Sequence, residues 1–291
     1  MGGTGFLLLM PELPEVEILT RHLRPLLRSQ TVRGVQVLRK KVLGSTPLRT
    51  FQRALRGATF EGLERRGKYL LFQLRSRSSS SPLRLVGHLG MTGRMFLGGK
   101  RQPLPKHAAV VFDLGRNRFI YEDPRLFGRM TLNDSALAGL GPEPLGDDFH
   151  PKSFWEALQR SRQAIKVKLL DQSLVAGVGN IYASEALFHA RISPVRAAHQ
   201  LTEEEAARLW RALRHVLAAA IRSGSRVPLN FTGDRSDGLF YFGRATGTPH
   251  HYEDRLRVYG RAGQPCPRCG TPLRRGVQAA RSTFYCPDCQ I

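Results

Sequence analysis

The sequence predicts an α+β chain: a β-rich first half, a helical second half and a small terminal hairpin gathered by four cysteines. Three observations carry this. Up to about residue 139, short β-branched and aromatic runs alternate with Gly, Pro and Ser turns. Past the turn formers of Leu140–Leu145, the apolar period changes from 2 to 3.6. Every cysteine lies in one of two CxxC pairs near the C-terminus. At 291 residues the chain can hold two domains, each with its own core.

Residues 1–10 lack a basic start, and their apolar stretch is too short for a secretory signal, so they are expected to be a misassigned start or a disordered extension. If translation begins at Met10 and that methionine is removed, Pro11 presents a secondary amine. An internal proline nitrogen is a planar amide without a free lone pair. A free α-amine titrates near ~7.7 to 8.0 and can attack an electrophilic carbon to give an iminium (Schiff base). The alternative at this point is a plain helix start. Pro14 suits the first helical position, Glu15 and Glu17 favour the dipole, and Val16, Leu19, Leu23 and Leu26 are expected on one apolar face.

Strands are expected at 31–38, 69–74, 83–88, 108–114 and 118–121, in a β-sandwich or barrel, with a Ser-rich exposed loop at 75–82. In the second half, Val175–Tyr182 reads as a glycine turn entering a helix, whose free N–H groups and positive dipole end suit a phosphate. Thr202 and Glu205 form a capping box before a helix with Leu209, Leu213, Val216 and Ala220 on one face, stopped at Gly224. Cys266, Cys269, Cys286 and Cys289 have the spacing of a closed, structural zinc site. Two disulfides are the alternative, disfavoured in a chain without a secretory signal. Arg281, between the pairs, falls at the tip or second strand of that hairpin and could reach a phosphate.

The chain carries 45 Lys plus Arg against 23 Asp plus Glu, a net charge of +22. A polyanion is the expected partner, with nucleic acid first and a membrane surface second. No apolar run reaches the ~18 residues of a membrane span and no basic amphipathic helix stands out, so no membrane partner is expected.

Taken together, these segments resemble the formamidopyrimidine-DNA glycosylase family. The match is carried by PELPEVE at 11–17, RRGKYLL at 65–71, HLGMTG at 88–93, DPRLFG at 123–128, LGPEPLGDDF at 140–149, AIKVKLLDQ at 164–172, GVGNIYASEALF at 177–188, VYGRAGQPC at 258–266 and RSTFYCPDCQ at 281–290. The resemblance implies an N-terminal β-sandwich with flanking helices, then a helical helix-two-turn-helix domain ending in a four-cysteine zinc finger. The implied divisions are 11–139 (catalytic sandwich), 140–159 (linker and start of the C-terminal domain), 160–257 (helix-two-turn-helix with a lesion-recognition loop) and 258–291 (zinc-finger hairpin).

It also implies roles. Pro11 would be the nucleophile at C1′ and Glu12 the proton donor. Lys68 and Arg281 would contact phosphates and serve as proton donors in β- and δ-elimination. His88, Asn180 and Arg281 would clamp the backbone, and Met91, Arg125 and Phe127 would fill the space left by an everted base. Lys166 would lie near the DNA. The implied activity is excision of oxidised purines from duplex DNA followed by cleavage of the abasic site. One structural Zn2+, no small-molecule cofactor, a monomer and a cytoplasmic location are expected. The segment 227–239 departs from the family pattern and lacks an expected lysine. The alternatives are an endonuclease VIII-like enzyme for oxidised pyrimidines and a non-catalytic zinc-ribbon DNA-binding protein.

Overall fold

The computed structural model describes residues 11–76, 82–225, 229 and 256–291. The leading extension, residues 77–81 of the Ser-rich loop and most of the atypical 227–257 segment lie outside the described residues.

Helix α1 (Leu13–Leu27) starts at Glu12, whose N–H donates to Glu15 Oε2 at 2.8 Å, with Pro14 in the first turn. Its buried face is Val16, Leu19, Leu23 and Leu27. Leu26, expected on that face, is instead 42 % exposed. At 100° per residue, Leu27 falls about 20° from the direction of Val16 and Leu26 about 80°.

Strand β1 (Gly34–Val37) and helix α2 (Leu48–Leu55) follow. Next come β2 (Thr59–Arg66), β3 (Tyr69–Arg75), β4 (Leu83–His88), β5 (Arg94–Gly99), β6 (Ala108–Asp113), β7 (Asn117–Glu122) and β8 (Arg129–Thr131). They pair antiparallel in two four-stranded sheets, ordered β1-β6-β7-β5 and β2-β3-β4-β8. Alternation along β3 sends Leu70, Phe72 and Leu74 inward. Phe60 and Phe72 of one sheet meet Phe112 and Phe119 of the other, with ring centroids 5.5–6.4 Å apart. That aromatic layer, with Phe51 from α2, makes the arrangement a sandwich. Strand β2 was hidden in the sequence by Glu61, Glu64, Arg65 and Arg66, whose charges the fold keeps out of that layer.

The second half comprises α3 (Pro151–Gln159), α4 (Ile165–Leu169), α5 (Asn180–Ala190) and α6 (Glu203–Gly224). Helix α5 is apolar and buried almost all round, which makes it the central helix. The capping box of α6 forms, with Glu205 N–H donating to Thr202 Oγ1 at 3.2 Å and Thr202 N–H to Glu205 Oε2 at 3.0 Å. The hairpin β9 (Arg274–Gln278) and β10 (Arg281–Tyr285) packs Leu273, Phe284, Cys266 and Cys286 into the same core as the helices.

Apolar packing and a cluster of ion pairs help to join the halves. Leu13 belongs to the helical core, while Val16, Leu19, Leu23 and Leu27 of α1 belong to the sandwich core. Glu143 accepts from Arg65 Nη1 (2.7 Å), Arg66 Nη1 (3.0 Å) and Gly67 N (2.6 Å), tying the β2–β3 turn to the connecting segment. Arg66 Nη2 also donates to the carbonyls of Leu140 and Gly141.

Truncating Phe119 removes the ring that touches Phe60, Phe72 and Phe112. Phe119→Ala is expected to lower unfolding free energy by about 3–5 kcal/mol, measured by urea denaturation against wild type.

Candidate active site

The site lies where α1 meets α5. Pro11 and Glu12 are both buried. Glu12 Oε1 accepts the N–H of Ile181 at 2.9 Å and Oε2 that of Tyr182 at 3.4 Å. These are among the unpaired donors of the first turn of α5. The glycine turn was expected to offer such donors to a phosphate. Instead, a carboxyl of the chain itself takes them.

The glycines make this approach possible. A Cβ on Gly179 would overlap the Glu12 carboxyl, and one on Gly177, where φ is +85°, would meet the Leu13 side chain at 2.6 Å. Leu13 N–H also donates to the Gly177 carbonyl at 3.1 Å. Glu15 completes the junction, receiving Tyr182 Oη–H at 2.7 Å beside its bond from Glu12 N–H.

Burial raises the Glu12 pKa to about 7; Glu15 adds to the rise, while Lys68 and the two N–H donors oppose it. Lys68 sits in the β2–β3 turn directly after Gly67, whose φ of +55° turns the chain there. Burial, and then the positive charge of Arg281, lower the Lys68 pKa, while Glu12 and Glu15 raise it.

Arg281 is exposed and is the first residue of β10, immediately after Ala279 and Ala280 at φ 47° and 58°. Two non-glycine residues in the left-handed region form the tight reversal, at a cost on the order of 1–2 kcal/mol each. The hairpin is locked from below. The Ser282 carbonyl accepts from Asn180 Nδ2 and Lys166 Nζ, each at 3.0 Å, and Lys166 Nζ also donates to Thr283 Oγ1 at 2.8 Å. Asn180 Nδ2 lies 3.3 Å from Tyr259 Oη as well. Lys166, expected near the DNA, is thus fully buried and grips the hairpin that carries Arg281. Burial, then Arg281, lower its pKa to about 8 against an opposing pull from Glu12.

His88 ends β4 beside the Tyr69 ring, with centroids 4.7 Å apart. Burial, then Lys68 and Arg129, push its pKa down to about 4 against Asp123. Its Nδ1 accepts Gly90 N–H at 3.1 Å, so the neutral ring keeps its proton on Nε2. Met91 is partly buried on the β4–β5 loop, and Arg125 and Phe127 are exposed on the β7–β8 loop. The Arg125 guanidinium sits 4.8 Å above the Phe127 ring.

The four cysteine sulfurs lie within 4.8 Å of one another, and all four are free thiols. Cys266 and Cys289 Sγ are 3.9 Å apart, and Cys269 and Cys286 Sγ 3.5 Å. A tetrahedral zinc with bonds of ~2.3 Å needs sulfurs about 3.8 Å apart, so the set fits that metal and no disulfide. Cys286 N–H donates to Gln290 Oε1, and Gln290 Nε2 to the Ile192 carbonyl, which anchors the finger to the helical core.

The arrangement sets one buried acid, poised near neutrality, amid cations that can bind phosphate. Sequence reasoning missed the joining roles of Glu15, Tyr182 and Glu143. Glu15 could have been found from its position three residues after Glu12, the capping-box spacing. Tyr182 and Glu143 left no local signal.

The N-terminal part, residues 10–130, matches the family model described as the formamidopyrimidine-DNA glycosylase N-terminal domain. Residues 140–229 match that family's H2TH domain, and 263–291 the zinc finger found in FPG and IleRS. The chain is 44 % identical over 289 residues to formamidopyrimidine-DNA glycosylase of Thermus thermophilus, covering 97 % of this chain and 98 % of that one. It is 42 % identical over 290 residues to that of Symbiobacterium thermophilum, covering 97 % and 89 %. The fold superposes with a TM-score of 0.83 on Lactococcus lactis Fpg in complex with DNA containing N7-benzyl-Fapy-dG, at 34 % identity over 96 % of this chain and 99 % of that one. It superposes with a TM-score of 0.82 on the same enzyme bound to abasic-site DNA, at 33 % identity and the same coverage. Among the described residues, no helix is long and apolar enough to cross a membrane.

The raised Glu12 pKa makes the folded state bind more protons than the unfolded chain between about pH 4.5 and 7. The Glu12 contribution to stability therefore falls as pH rises through that window, by on the order of 3 kcal/mol, while His88, with its lowered pKa, contributes in the opposite sense between about pH 4 and 6.5. Glu12→Gln should remove the Glu12 contribution, so that the variant gains stability relative to wild type as pH rises from 5 to 8, read from urea unfolding at pH 5, 6, 7 and 8; a difference independent of pH would refute the assignment.

Proposed function

The chain belongs to the formamidopyrimidine-DNA glycosylase family and is a DNA glycosylase of base-excision repair; we propose that it excises oxidised purines, ring-opened formamidopyrimidines foremost, and then cleaves the abasic site. The observation that carries this reading is the Glu12 carboxyl, held at the start of α5 with a pKa of about 7 and directly following Pro11. Near neutral pH such a group is protonated in a substantial fraction of molecules and can give up its proton. The Lactococcus structures on ring-opened-purine and abasic DNA support the substrate class.

In this reading the protein begins at Pro11, and the neutral amine attacks C1′ of the damaged nucleotide. The N-glycosidic bond breaks and the base leaves with its electron pair. The amine proton passes to the departing base, and Glu12 delivers a proton to the sugar ring oxygen as the ring opens, giving an iminium between Pro11 and C1′. Loss of the C2′ proton expels the 3′ phosphate, and a second elimination expels the 5′ phosphate. Water then releases the sugar remnant and restores the amine. Lys68 and Arg281 hold those phosphates and donate protons to them, while neutral His88 donates from Nε2 to the backbone. Met91, Arg125 and Phe127 enter the stack as the base leaves it. Exposure of Arg125 and Phe127 side by side supports this use.

Cys266, Cys269, Cys286 and Cys289 would hold one Zn2+, which supplies structure and no chemistry. The enzyme acts as a monomer on duplex DNA in the cytoplasm, divided at 139/140, 159/160 and 257/258 as the resemblance implies.

Protein expressed from Met10 should give a borohydride-trapped adduct on duplexes carrying 8-oxoguanine or a formamidopyrimidine opposite cytosine. Pro11→Gly, and protein that retains residues 1–10, should give none or far less. Adducts on oxidised pyrimidines alone would favour the endonuclease VIII-like reading. Stripping the metal with a strong thiol-competing chelator should loosen the hairpin and abolish abasic-site cleavage, with recovery on adding Zn2+; activity unchanged at zero zinc content would overturn the structural role.

A further inference from the structure

The loops bearing Met91 and Arg125–Phe127 come from different strand pairs, yet they are fused at one buried carboxyl. Asp123 is 1 % exposed. Its Oδ1 accepts Thr92 Oγ1–H at 2.8 Å and Arg125 N–H at 3.2 Å. Its Oδ2 accepts Gly128 N–H at 2.8 Å and lies 3.3 Å from Tyr121 Oη. Thr92 directly follows Met91, while Arg125 and Gly128 bracket the exposed turn. One side chain therefore joins the two segments.

The backbones around it leave no slack. A Cβ on Gly90, where φ is +60°, would meet Gly128 N at 2.5 Å and Phe127 C at 2.7 Å. A Cβ on Gly128 would overlap Tyr121 Oη and the His88 carbonyl. Leu126 is held at φ 54°, a left-handed conformation that a leucine rarely adopts, which turns Arg125 and Phe127 to the same side. Asp123 supplies the hydrogen bonds on both flanks of that strained residue.

We propose that Asp123 is the positioning residue of the void-filling group, coupling the Met91 loop to the Arg125–Phe127 loop so that the three side chains enter the duplex as one unit. This rests on the role given to those three side chains above. A prepositioned group matters most when a stacked, paired base must be displaced. It matters least at an abasic site, where there is no base to unstack.

The test is Asp123→Asn in protein expressed from Met10. The amide keeps one acceptor and the shape, but its NH2 cannot accept from Gly128 N–H or Tyr121 Oη–H. Excision of a formamidopyrimidine paired with cytosine is expected to fall about 10- to 100-fold in kcat/KM. Cleavage and borohydride trapping of a preformed abasic site should stay close to wild type. A 2-aminopurine beside the lesion should report slower unstacking in stopped-flow fluorescence. Thr92→Val, which removes one donor and leaves the carboxyl, should show a smaller split in the same direction, and it carries the test if Asp123→Asn does not fold. Equal loss on both substrates, or no loss on either, overturns the proposal. Failure of the functional reading is separately visible as wild-type protein that traps neither substrate.

Discussion

The structure depends on one buried contact, the Glu12 carboxyl on the N–H groups that open α5. It joins the first residues of the sandwich half to the central helix of the other half, across about 170 positions of sequence. Desolvation of the carboxyl is the larger effect, and two N–H donors with Lys68 recover only part of it, which is why the group settles near neutrality. The same bond thus contributes both to the junction between the halves and to the protonation of the acid. Gly177 and Gly179 are required because side chains there would occupy the space of Leu13 and Glu12.

Around this contact the cations are placed by elements that are themselves anchored. Lys68 stands in a turn whose neighbours Arg65, Arg66 and Gly67 are held by Glu143. Arg281 stands on a hairpin gripped by Asn180 and Lys166 through the Ser282 carbonyl. Lys166 acts at one remove: its own charge is used on the hairpin, and the hairpin presents a different cation. The cysteine cluster anchors the other end of that hairpin through Gln290 and Ile192. Loss of either anchor would therefore reach the exposed arginine.

Much was legible in the sequence because it was local. Periodicity located most strands and the long helix; Thr202 and Glu205 marked the start of α6, and cysteine spacing described the metal cluster. The order of motifs from Pro11 to Gln290 identified the family. The misses have physical causes. Leu26 and Leu27 differ by one step of helical phase, which a short apolar pattern does not resolve. Strand β2 carries charges that pair or stay solvated on its outer side, so its composition looked unlike a strand.

The sequence by itself determined the family, the two-part α+β architecture and the cluster of four thiols, because the ordered motifs, the change of apolar period and the CxxC spacing are each written in the chain itself. Only the tertiary structure decided that the glycine turn receives Glu12 in place of a phosphate, that Lys166 is buried beneath Arg281, and that Asp123 fuses two loops. These outcomes depend on which hydrogen-bond donor meets which acceptor across distant segments. A buried polar group must find a partner, and only packing determines which one lies within reach.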